Sequence, residues 1–377
     1  MDTCTPSARM IYADSESCAD LYYATGFFAP DPFLWVREAE GRQHLVTSVL
    51  EIDRARRVAH VDEVHDWEAI KTRLGGQIHG EAAAIGGFLG LLGISQVTVP
   101  EGFPLGLADS LRSTGVTLTP VSGAFWPQRA RKRPDEVAAI EEALRLTGLG
   151  MAAGIDMIRR SHPGDDAVLW LDGAPLTSQR VRGAINATLV QLGAMPRHTI
   201  VSGALQGADP HEEGSGPLYA HTPIILDVFP RHEASGYWGD MTRTVCRGQP
   251  SERVQRAWQA VLEAQEHAIG RIAAGVDGVA LHQELLELLT LRGFPTGPTA
   301  DGRQAGFFHG TGHGLGLEIH EAPRIGRKGP VLEVGHVVTV EPGLYDPAWG
   351  GVRLEDVVVV TESGCRNLTQ FAKFFVV

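Results

Sequence analysis

The sequence predicts an α+β protein of two domains, and three features of its organisation support this. Short strand and helix patterns alternate over roughly the first 125 residues, which is typical of a small sheet covered by helices. After about residue 135, long helices alternate with pairs of strands. The stretch between them, WPQRARKRP (126–134), is basic and polar. We therefore predict an N-terminal α/β domain over residues 1–128 and a larger α+β domain over residues 129–377.

In the first domain, β-branched and aromatic runs predict strands and longer mixed segments predict helices. The strands are expected at residues 33–36, 44–50 and 96–99, and the helices at residues 66–74 and 81–92.

In the second domain, the first helix is expected to begin just after Pro134. Asp135 and Glu136 would lie in its first turn, where the helix dipole favours acidic groups. Thr177 and Ser251 are predicted N-caps of later helices, and Gly193 and Gly293 are predicted stops. These later helices are expected at residues 178–192, 252–272 and 279–292, and strands at 224–229, 237–245, 337–340 and 357–360.

Composition excludes several functional classes. The formal net charge of −12 over 377 residues repels phosphate backbones and anionic lipid, so we expect no nucleic-acid or membrane partner. The longest apolar run, residues 82–94, is too short to span a bilayer, and the N-terminus lacks a signal-peptide pattern. The four cysteines are scattered without a CxxC pair, which is typical of reduced thiols in a cytoplasmic protein.

Two aspartates interrupt the apolar strands of a predicted hairpin. Asp227 lies within IILDVF, and Asp240 lies within the following strand pattern. A carboxylate inside a buried strand costs several kcal/mol unless it is paired or binds a metal. A divalent cation between the two would relieve both their desolvation and their mutual repulsion. The alternative is that each aspartate ends its strand and faces water.

Three histidines lie among glycines in FFHGTGHGLGLEIHE. His309, His313 and His320 fall within twelve positions, and imidazole is both a common metal ligand and a common acid–base group. The glycines would let the backbone approach a ligand closely. A nucleotide-binding interpretation is weak, because no strand–GxGxxG–helix frame surrounds these glycines.

Two glutamates complete the set of candidate ligands. Glu341 ends an apolar strand, and Glu355 is expected among apolar strand residues, two positions after Arg353. An ion pair with Arg353 on an edge strand is the alternative role for Glu355. Carboxylates with one imidazole suit Mn²⁺ or Co²⁺, with Zn²⁺ also possible, and two such ions form a hydrolytic device. The chain has no HExxH or GxSxG motif to suggest other hydrolytic chemistry.

The ordered motifs GDMTRT, HGTGHGLGLEIHE, VEPGLY and VRLEDVVVV resemble those of the pita-bread metallopeptidases, which include methionine aminopeptidase, aminopeptidase P and prolidase. The resemblance covers residues 130–377 well and implies a pita-bread fold for that domain, preceded by a creatinase-like N-terminal domain. It implies two divalent ions held by Asp227, Asp240, His313, Glu341 and Glu355.

The resemblance also implies roles for individual residues. Asp240 and Glu355 would bridge the two ions, and Glu341 would be both ligand and general base. His309 and His320, with His211 in ADPHEEGSG, would contact the substrate, and Arg353 would orient a ligating carboxylate. Asp227 and Asp240 are 240 − 227 = 13 positions apart, which exceeds the family's usual spacing and predicts a longer hairpin.

The extra N-terminal domain and the form of the histidine motif resemble the proline-directed members of the family. The implied reaction is hydrolysis of Xaa-Pro bonds by a bridging hydroxide, most simply in Xaa-Pro dipeptides, as in a prolidase. An aminopeptidase P acting on longer Xaa-Pro peptides and a pita-bread binding module without catalysis are the alternatives. The compact length favours the dipeptidase, and the retained carboxylates disfavour the binding module. A homodimer is expected from the resemblance.

Overall fold

We describe the fold from a computed structural model, which places residues 7–76 and 78–377. Cys4 and the first residues of the segment assessed for a signal peptide lie outside the described residues. The chain divides into two compact units, Met1–Pro127 and Gln128–Val377.

The first unit is built on a six-stranded mixed sheet. Its strands are β1 (Ala8–Ala13), β2 (Phe33–Arg37), β3 (Gln43–Thr47), β4 (Glu63–Asp66), β5 (Gln96–Val99) and β6 (Thr117–Pro120). Its helices are α1 (Ala19–Thr25), α2 (Ile52–Val58), α3 (Trp67–Arg73), α4 (Glu81–Leu91) and α5 (Leu105–Ser113). The strand order is β4-β3-β2-β1-β5-β6, and a buried apolar cluster covers each face of the sheet.

The predicted mixture of strands and helices in this unit is confirmed, with one strand shorter than expected. Strand β3 ends at Thr47, whereas the pattern predicted a strand to residue 50. A turn closed by the Glu51 N–H and the Ser48 carbonyl follows at once, and Leu50 is 84% exposed. An apolar residue can therefore extend a strand pattern in the sequence while lying in a solvent-facing turn. Strands β1, β4 and β6 and helices α1, α2 and α5 were not predicted.

The second unit begins with a long helix and contains six antiparallel sheets among the described residues. Its helices are α6 (Pro134–Arg160), α7 (Ser178–Gln191), α8 (Glu252–Arg271) and α9 (Gly278–Leu291). Its strands up to α8 are β7 (His162–Pro163), β8 (Leu169–Leu171), β9 (Ala174–Pro175), β10 (Ala194–Met195), β11 (Ile200–Gly203), β12 (Ile224–Val228), β13 (Arg231–His232) and β14 (Met241–Val245). The later strands are β15 (Gly297–Pro298), β16 (Gln304–Ala305), β17 (Gly312–Gly314), β18 (Glu321–Ile325), β19 (Val337–Val340), β20 (Gly343–Asp346), β21 (Gly350–Arg353), β22 (Asp356–Val360) and β23 (Cys365–Asn367).

Each half of this unit packs a helix pair against a sheet. Helices α6 and α7 cover the sheet β11-β12-β14, and one apolar cluster lies between them. Helices α8 and α9 pack on the sheet β18-β17-β19-β22-β23 through a second cluster. The predicted α+β class is confirmed in this arrangement.

The predicted caps explain where two of these helices begin. The Thr177 hydroxyl accepts the Arg180 N–H at 3.2 Å, and the Ser251 hydroxyl accepts the Val254 N–H at 3.4 Å. Each bond satisfies a backbone donor that the first helical turn would otherwise leave unpaired.

The hairpin of the candidate aspartates differs from its prediction. Strand β14 begins at Met241, so Asp240 immediately precedes the strand instead of interrupting it. The preceding Gly239 lies against helix α6, where an added Cβ would come within 2.7 Å of the Ala143 carbonyl oxygen and 2.3 Å of Thr147 Oγ1. The close approach of this turn to α6 therefore requires glycine at position 239. The same contact sets the position of Asp240 at the start of β14.

Two expectations from the hydropathy and the cysteine content can be compared with the structure. None of the helices in residues 7–76 and 78–377 combines the length and hydropathy needed to cross a bilayer. Burial raises the pKa of the Cys246 thiol to about 12. This cysteine therefore stays protonated and unreactive at neutral pH.

We expect Gly239→Ala to destabilise the protein by about 1–3 kcal/mol, because the new methyl group overlaps backbone atoms of α6. Thermal and urea unfolding would measure the change. Gly183→Ala is the matched control: Gly183 is an exposed position in α7 with no atom within 4 Å of an added Cβ, so helix propensity should stabilise it slightly. Equal stability of the two variants would contradict this account of the turn.

Candidate metal centre

One cavity of about 780 Å³ in the second unit contains every residue proposed for the site. Its lining includes the five candidate ligands Asp227, Asp240, His313, Glu341 and Glu355, and also His211, His309, His320 and Arg353. The residues that the sequence separates by more than a hundred positions are therefore brought to one place.

The three-stranded sheet β11-β12-β14 and the five-stranded sheet β18-β17-β19-β22-β23 both contribute ligands to this cavity. Asp227 lies in β12, and Asp240 stands at the start of β14, its partner strand. His313 lies in β17, and Glu341 directly follows the neighbouring part of the sheet, β19. Glu355 lies between β21 and β22, so it occupies a break between strands and not a strand interior as predicted.

The imidazole of His313 is oriented with one nitrogen toward the carboxylates. Its Nδ1–H donates to the Gly314 carbonyl at 3.0 Å, which leaves the Nε2 lone pair facing the cavity. Nε2 lies 3.3 Å from Glu341 Oε1 and 3.7 Å from Asp240 Oδ2. Burial, followed by the neighbouring His320, lowers the pKa of His313 to about 3. The ring is therefore neutral at neutral pH, which is the state that binds a metal.

Two threonines fix the positions of the glutamates. Thr339 Oγ1 accepts the His313 N–H at 3.0 Å and donates to Glu341 Oε1 at 3.1 Å. Thr242 Oγ1 accepts from Arg353 Nε at 3.1 Å and donates to Glu355 Oε2 at 2.8 Å. Each hydroxyl thus occupies one oxygen of a glutamate and limits its rotation.

Asp227 has one satisfied and one unsatisfied oxygen. Its Oδ2 accepts from Arg353 Nη2 at 2.6 Å, so Arg353 pairs with this aspartate and not with Glu355 as the edge-strand alternative would require. Its Oδ1 is buried and has no hydrogen-bond partner among the described residues. A buried carboxylate oxygen without a partner is costly, and a cation would satisfy it.

The charge state of the cluster follows from its burial. Burial, and then the charges of nearby carboxylates, raise the pKa of Asp240 and of Glu355 well above their ordinary values. Burial also raises the pKa of Glu341 to about 7, although Arg353 opposes the shift. The protein without cations would therefore hold protons on part of this cluster, and divalent ions would displace them.

The donor set fits divalent metal ions on several counts. It offers carboxylate oxygens and a neutral imidazole nitrogen, and donor atoms of Asp240, His313 and Glu355 all lie within 4.8 Å of one another. The unsatisfied Asp227 Oδ1 adds a further ligand atom with no competing partner. Hard oxygen donors with one imidazole are the combination expected for Mn²⁺, Co²⁺ or Zn²⁺.

The three other histidines differ in what they contact. His309 Nδ1 donates to the Gly310 carbonyl at 2.8 Å, and its Nε2 lies 2.9 Å from the Tyr345 hydroxyl. His320 presents its ring edge-on to His313, at 4.4 Å between centroids, and its nitrogens have no hydrogen-bond partner within residues 7–76 and 78–377. His211 is exposed on a loop that Arg353 Nη1 holds through the Pro210 carbonyl at 3.3 Å.

Sequence reasoning missed several residues that shape this site. Tyr345 accepts a hydrogen bond from Arg353 Nη1 at 2.8 Å and can donate to His309 Nε2, so it connects the arginine to the histidine. Tyr345 lies within VEPGLY, next to an apolar strand pattern, so the sequence gave no reason to predict it as a site residue instead of a core residue. Thr242 and Thr339 alternate with apolar residues in the same way. Arg324, Arg327 and Lys328 also line the cavity and were not singled out.

The glycines around His313 serve the packing of strands. A Cβ on Gly312 would lie 1.9 Å from the Thr339 carbonyl oxygen, and one on Gly314 would lie 2.2 Å from the Ala322 carbonyl oxygen. These contacts give the two glycines a packing role that the sequence did not indicate. They allow β17 to lie close to both of its neighbours.

Comparison with known proteins gives this site a family. Residues 138–362 match Metallopeptidase family M24, and residues 12–131 match the Creatinase/Prolidase N-terminal domain. An uncharacterized peptidase of Bacillus subtilis, YqhT, is 36% identical over 261 residues, which are 69% of this chain and 68% of that protein. A Xaa-Pro dipeptidase of Pyrococcus furiosus is 30% identical over 244 residues, 64% of each chain. The structure of an X-Pro aminopeptidase from Thermotoga maritima has a TM-score of 0.81 at 25% identity, covering 98% of this chain and 97% of that one.

The fold and the donor set together define a metallopeptidase with a creatinase-type N-terminal domain and a pita-bread catalytic domain. The chain belongs to metallopeptidase family M24.

In protein stripped of metal, we expect stability to fall as the pH rises from about 4.5 to about 7. Glu341 has a folded pKa of about 7 against an ordinary value of 4.5, so the folded state binds more protons than the unfolded state in this window. The free energy of unfolding then decreases with pH, by up to about 1.4 kcal/mol per pH unit for each extra proton. Adding Mn²⁺ should reverse the loss. Thermal unfolding from pH 4 to 8, with chelator and with Mn²⁺, measures both effects.

Glu341→Gln is the comparison variant for this measurement, because the glutamine amide does not titrate in this pH window. Its chelated form should show a weaker fall across the same window. A chelated wild-type protein whose stability rises through that window would contradict the assignment.

Proposed function

We propose that this protein hydrolyses the peptide bond preceding proline in Xaa-Pro dipeptides, with two divalent ions held by Asp227, Asp240, His313, Glu341 and Glu355. The observation that supports this most directly is the single cavity, in which buried carboxylates and a neutral imidazole lie beside a cationic and an apolar wall. The Xaa-Pro dipeptidase of Pyrococcus furiosus is a relative with this activity in its name.

The bound ions would lower the pKa of a coordinated water and polarise the scissile carbonyl. Asp240 and Glu355 would hold the ions together with His313, because the donor atoms of these three residues lie close to one another. Asp227 would use its unsatisfied Oδ1, while Arg353 holds the other oxygen in place. The protein's contribution is therefore a set of ligand atoms whose orientation is fixed before the substrate arrives.

Glu341 is the proposed general base. Thr339 Oγ1 donates to Glu341 Oε1 and so positions it. The side chain remains 18% exposed to the cavity, so it can exchange a proton with bound reactants. We infer that it accepts the proton of the attacking water and delivers it to the proline nitrogen as the bond breaks.

The histidines would act on the substrate in different ways. His320 has ring nitrogens that are available to the scissile carbonyl, and exposed His211 can approach from the opposing loop. His309 acts through the Arg353–Tyr345–His309 chain, which fixes its ring orientation. Burial, and then Arg353, lower the pKa of His309 to about 3, so the ring is neutral and its Nε2 accepts a hydrogen bond from the Tyr345 hydroxyl.

The walls of the cavity suit a dipeptide that ends in proline. Proline has no backbone N–H, so the enzyme must recognise the ring by apolar contact. Ile200, Phe229, Phe308 and Ile319 line the cavity and provide such contacts. Arg324, whose Cα pairs with that of His313 across β17 and β18, stands with Arg327 and Lys328 at the same cavity. These cations would bind the free carboxylate of the proline residue.

Release of the first residue from longer Xaa-Pro peptides is the second candidate activity. The structural similarity to an X-Pro aminopeptidase along nearly the whole chain favours it. The two activities differ in whether the cavity accepts residues of the peptide that follow proline. Cleavage of an Xaa-Pro dipeptide and of a longer peptide with the same first two residues tests this difference directly.

We also propose Mn²⁺ as the resident ion, on the strength of the oxygen-rich donor set. A homodimer and a cytoplasmic location are proposed from the family resemblance and the cysteine pattern. The same resemblance supports independent domains over residues 1–128 and 129–377.

We expect Glu341→Gln to reduce kcat on an Xaa-Pro dipeptide by about 10²–10⁴-fold, since the amide cannot accept the proton. Assays should be run at saturating Mn²⁺ together with a metal analysis, which separates loss of the base from loss of an ion. Glu333→Gln is the matched control, because Glu333 is 57% exposed and pairs with Arg131 on the surface. Wild-type turnover by Glu341→Gln would refute the base assignment.

We expect Arg324→Ala to lower kcat/KM for an Xaa-Pro dipeptide by about 10–100-fold, because a charge-assisted bond to the substrate carboxylate is lost. The Xaa-Pro amide, which lacks that carboxylate, should be cleaved equally by the wild type and the variant. Arg303→Ala, a change at an exposed arginine, should leave both substrates unaffected. Faster wild-type cleavage of an Xaa-Pro tripeptide than of the dipeptide would favour the aminopeptidase.

A further inference from the structure

A cluster of histidines and glutamates lies on the sheet of the first unit, apart from the residues of the catalytic cavity. Strands β3 and β4 run parallel, and their register places His44 beside Glu63 and Val46 beside His65. Because alternate residues of a strand share a face, Glu63 and His65 both point to the side on which His44 lies. Strand β4 is the edge strand, so the cluster joins the edge of the sheet to its neighbour.

Three donor atoms of this cluster form a nearly equilateral triangle. His44 Nδ1 lies 3.2 Å from His65 Nε2 and 3.4 Å from Glu63 Oε2, and the last two atoms are 3.2 Å apart. A tetrahedral zinc ion with bonds of about 2.0–2.1 Å has ligand atoms about 3.3–3.4 Å from one another. The triangle therefore matches one face of a zinc coordination tetrahedron.

The surrounding contacts prepare two of these atoms as metal ligands. His44 Nε2 lies 2.7 Å from Glu38 Oε1, and a carboxylate beside Nε2 favours the tautomer with the proton there and the lone pair on Nδ1. Arg42 pairs with Glu63 Oε1, which leaves Oε2 to face the two imidazoles. A histidine whose second nitrogen is held by a carboxylate is a common arrangement at zinc sites.

The same three atoms are poorly satisfied by hydrogen bonding alone. With the Nε2 proton of His44 engaged by Glu38, Nδ1 and the Glu63 carboxylate are both acceptors only. A single proton on His65 Nε2 would have to serve both acceptors at 3.2 Å. A cation at the centre would instead accept a lone pair from each atom.

We propose that His44, Glu63 and His65 form a metal site of the first unit, selective for Zn²⁺ or a similar imidazole-preferring ion. His44 is buried, whereas Glu63 and His65 are 35% and 27% exposed, so an ion can enter from solvent and keep water as a fourth ligand. The Phe88 ring packs against both imidazoles, at 6.0 and 5.1 Å between centroids, and holds them in place. By joining β3 to β4, the ion stabilises the edge of the sheet.

Zinc stoichiometry tests the site in the full-length protein. Wild type, H65A and E63Q would be stripped with chelator, dialysed against buffered Zn²⁺ and analysed for bound metal. We expect H65A and E63Q to bind one equivalent fewer than wild type. The control H60A changes an exposed histidine of the same unit that is outside the cluster, and it should match wild type.

The catalytic cavity also offers zinc ligands, so the comparison is repeated in a D240N background. The difference of one equivalent between proteins with and without H65A should persist there. Since the cluster is not part of the proposed catalytic site, Mn²⁺-supported peptidase activity of H65A should equal that of wild type. Equal zinc content of wild type, H65A and E63Q would overturn the proposal.

Anomalous diffraction gives a direct second readout. Crystals of the protein soaked in Zn²⁺ should show a peak at the zinc edge between His44 Nδ1, His65 Nε2 and Glu63 Oε2. The thermal midpoint of wild type and H60A should also rise with Zn²⁺ by more than that of H65A. Density at the catalytic cavity without a peak at this cluster would overturn the zinc site and leave the proposed peptidase function standing.

Discussion

Repulsion among buried carboxylates is the constraint around which the second unit is arranged. Asp227, Asp240, Glu341 and Glu355 face one cavity, where burial removes the water that would otherwise screen their charges. Arg353 offsets part of this charge by its contact with Asp227. Burial, followed by the charges of the neighbouring carboxylates, raises the pKa of Glu341, Asp240 and Glu355. Such a cluster is stable as a set of anions when cations join it, so the family's metal dependence follows from the packing of its own side chains.

The two halves of the unit solve the same positioning problem in the same way. In one half, Thr242 pairs in register with Asp227 and donates to Glu355. In the other, Thr339 accepts the backbone N–H of His313 and donates to Glu341. Each threonine hydroxyl has one donor and lone pairs to accept, so it can link a neighbouring strand or side chain to a carboxylate. The geometry of the site thus depends on strand pairing, which is more rigid than a loop would be.

The buried carboxylates of the site could be predicted from the sequence, whereas the residues that contact them could not. Asp227 and Glu355 stand out because they interrupt apolar runs, and this local contrast sufficed to gather the candidate ligands. Arg324 lines the cavity and Tyr345 is hydrogen-bonded to Arg353 and His309, but the neighbours of these two residues in sequence give no sign of it. Their contacts depend on strand register, such as the pairing of Arg324 with His313. Register between strands that are far apart in the chain cannot be predicted from local sequence patterns.

The helices of the second unit were well predicted, because the signals at their ends are local in the sequence. Caps such as Thr177 and Ser251 act within one turn, so the sequence contains the whole interaction. The start of β14 was placed too early because it depends on a contact between Gly239 and helix α6, almost a hundred positions away.

The two clusters of candidate ligands differ in what would hold an ion. In the catalytic cavity, the charge of two divalent ions would balance that of four carboxylates, so charge compensation dominates and hard ions are favoured. At His44, Glu63 and His65 there is one carboxylate, already paired with Arg42, and two imidazoles. Binding there depends on nitrogen lone pairs, which favour zinc over manganese. The same chain would therefore sort two kinds of ion between its units by ligand chemistry alone, without any difference in the concentration of either.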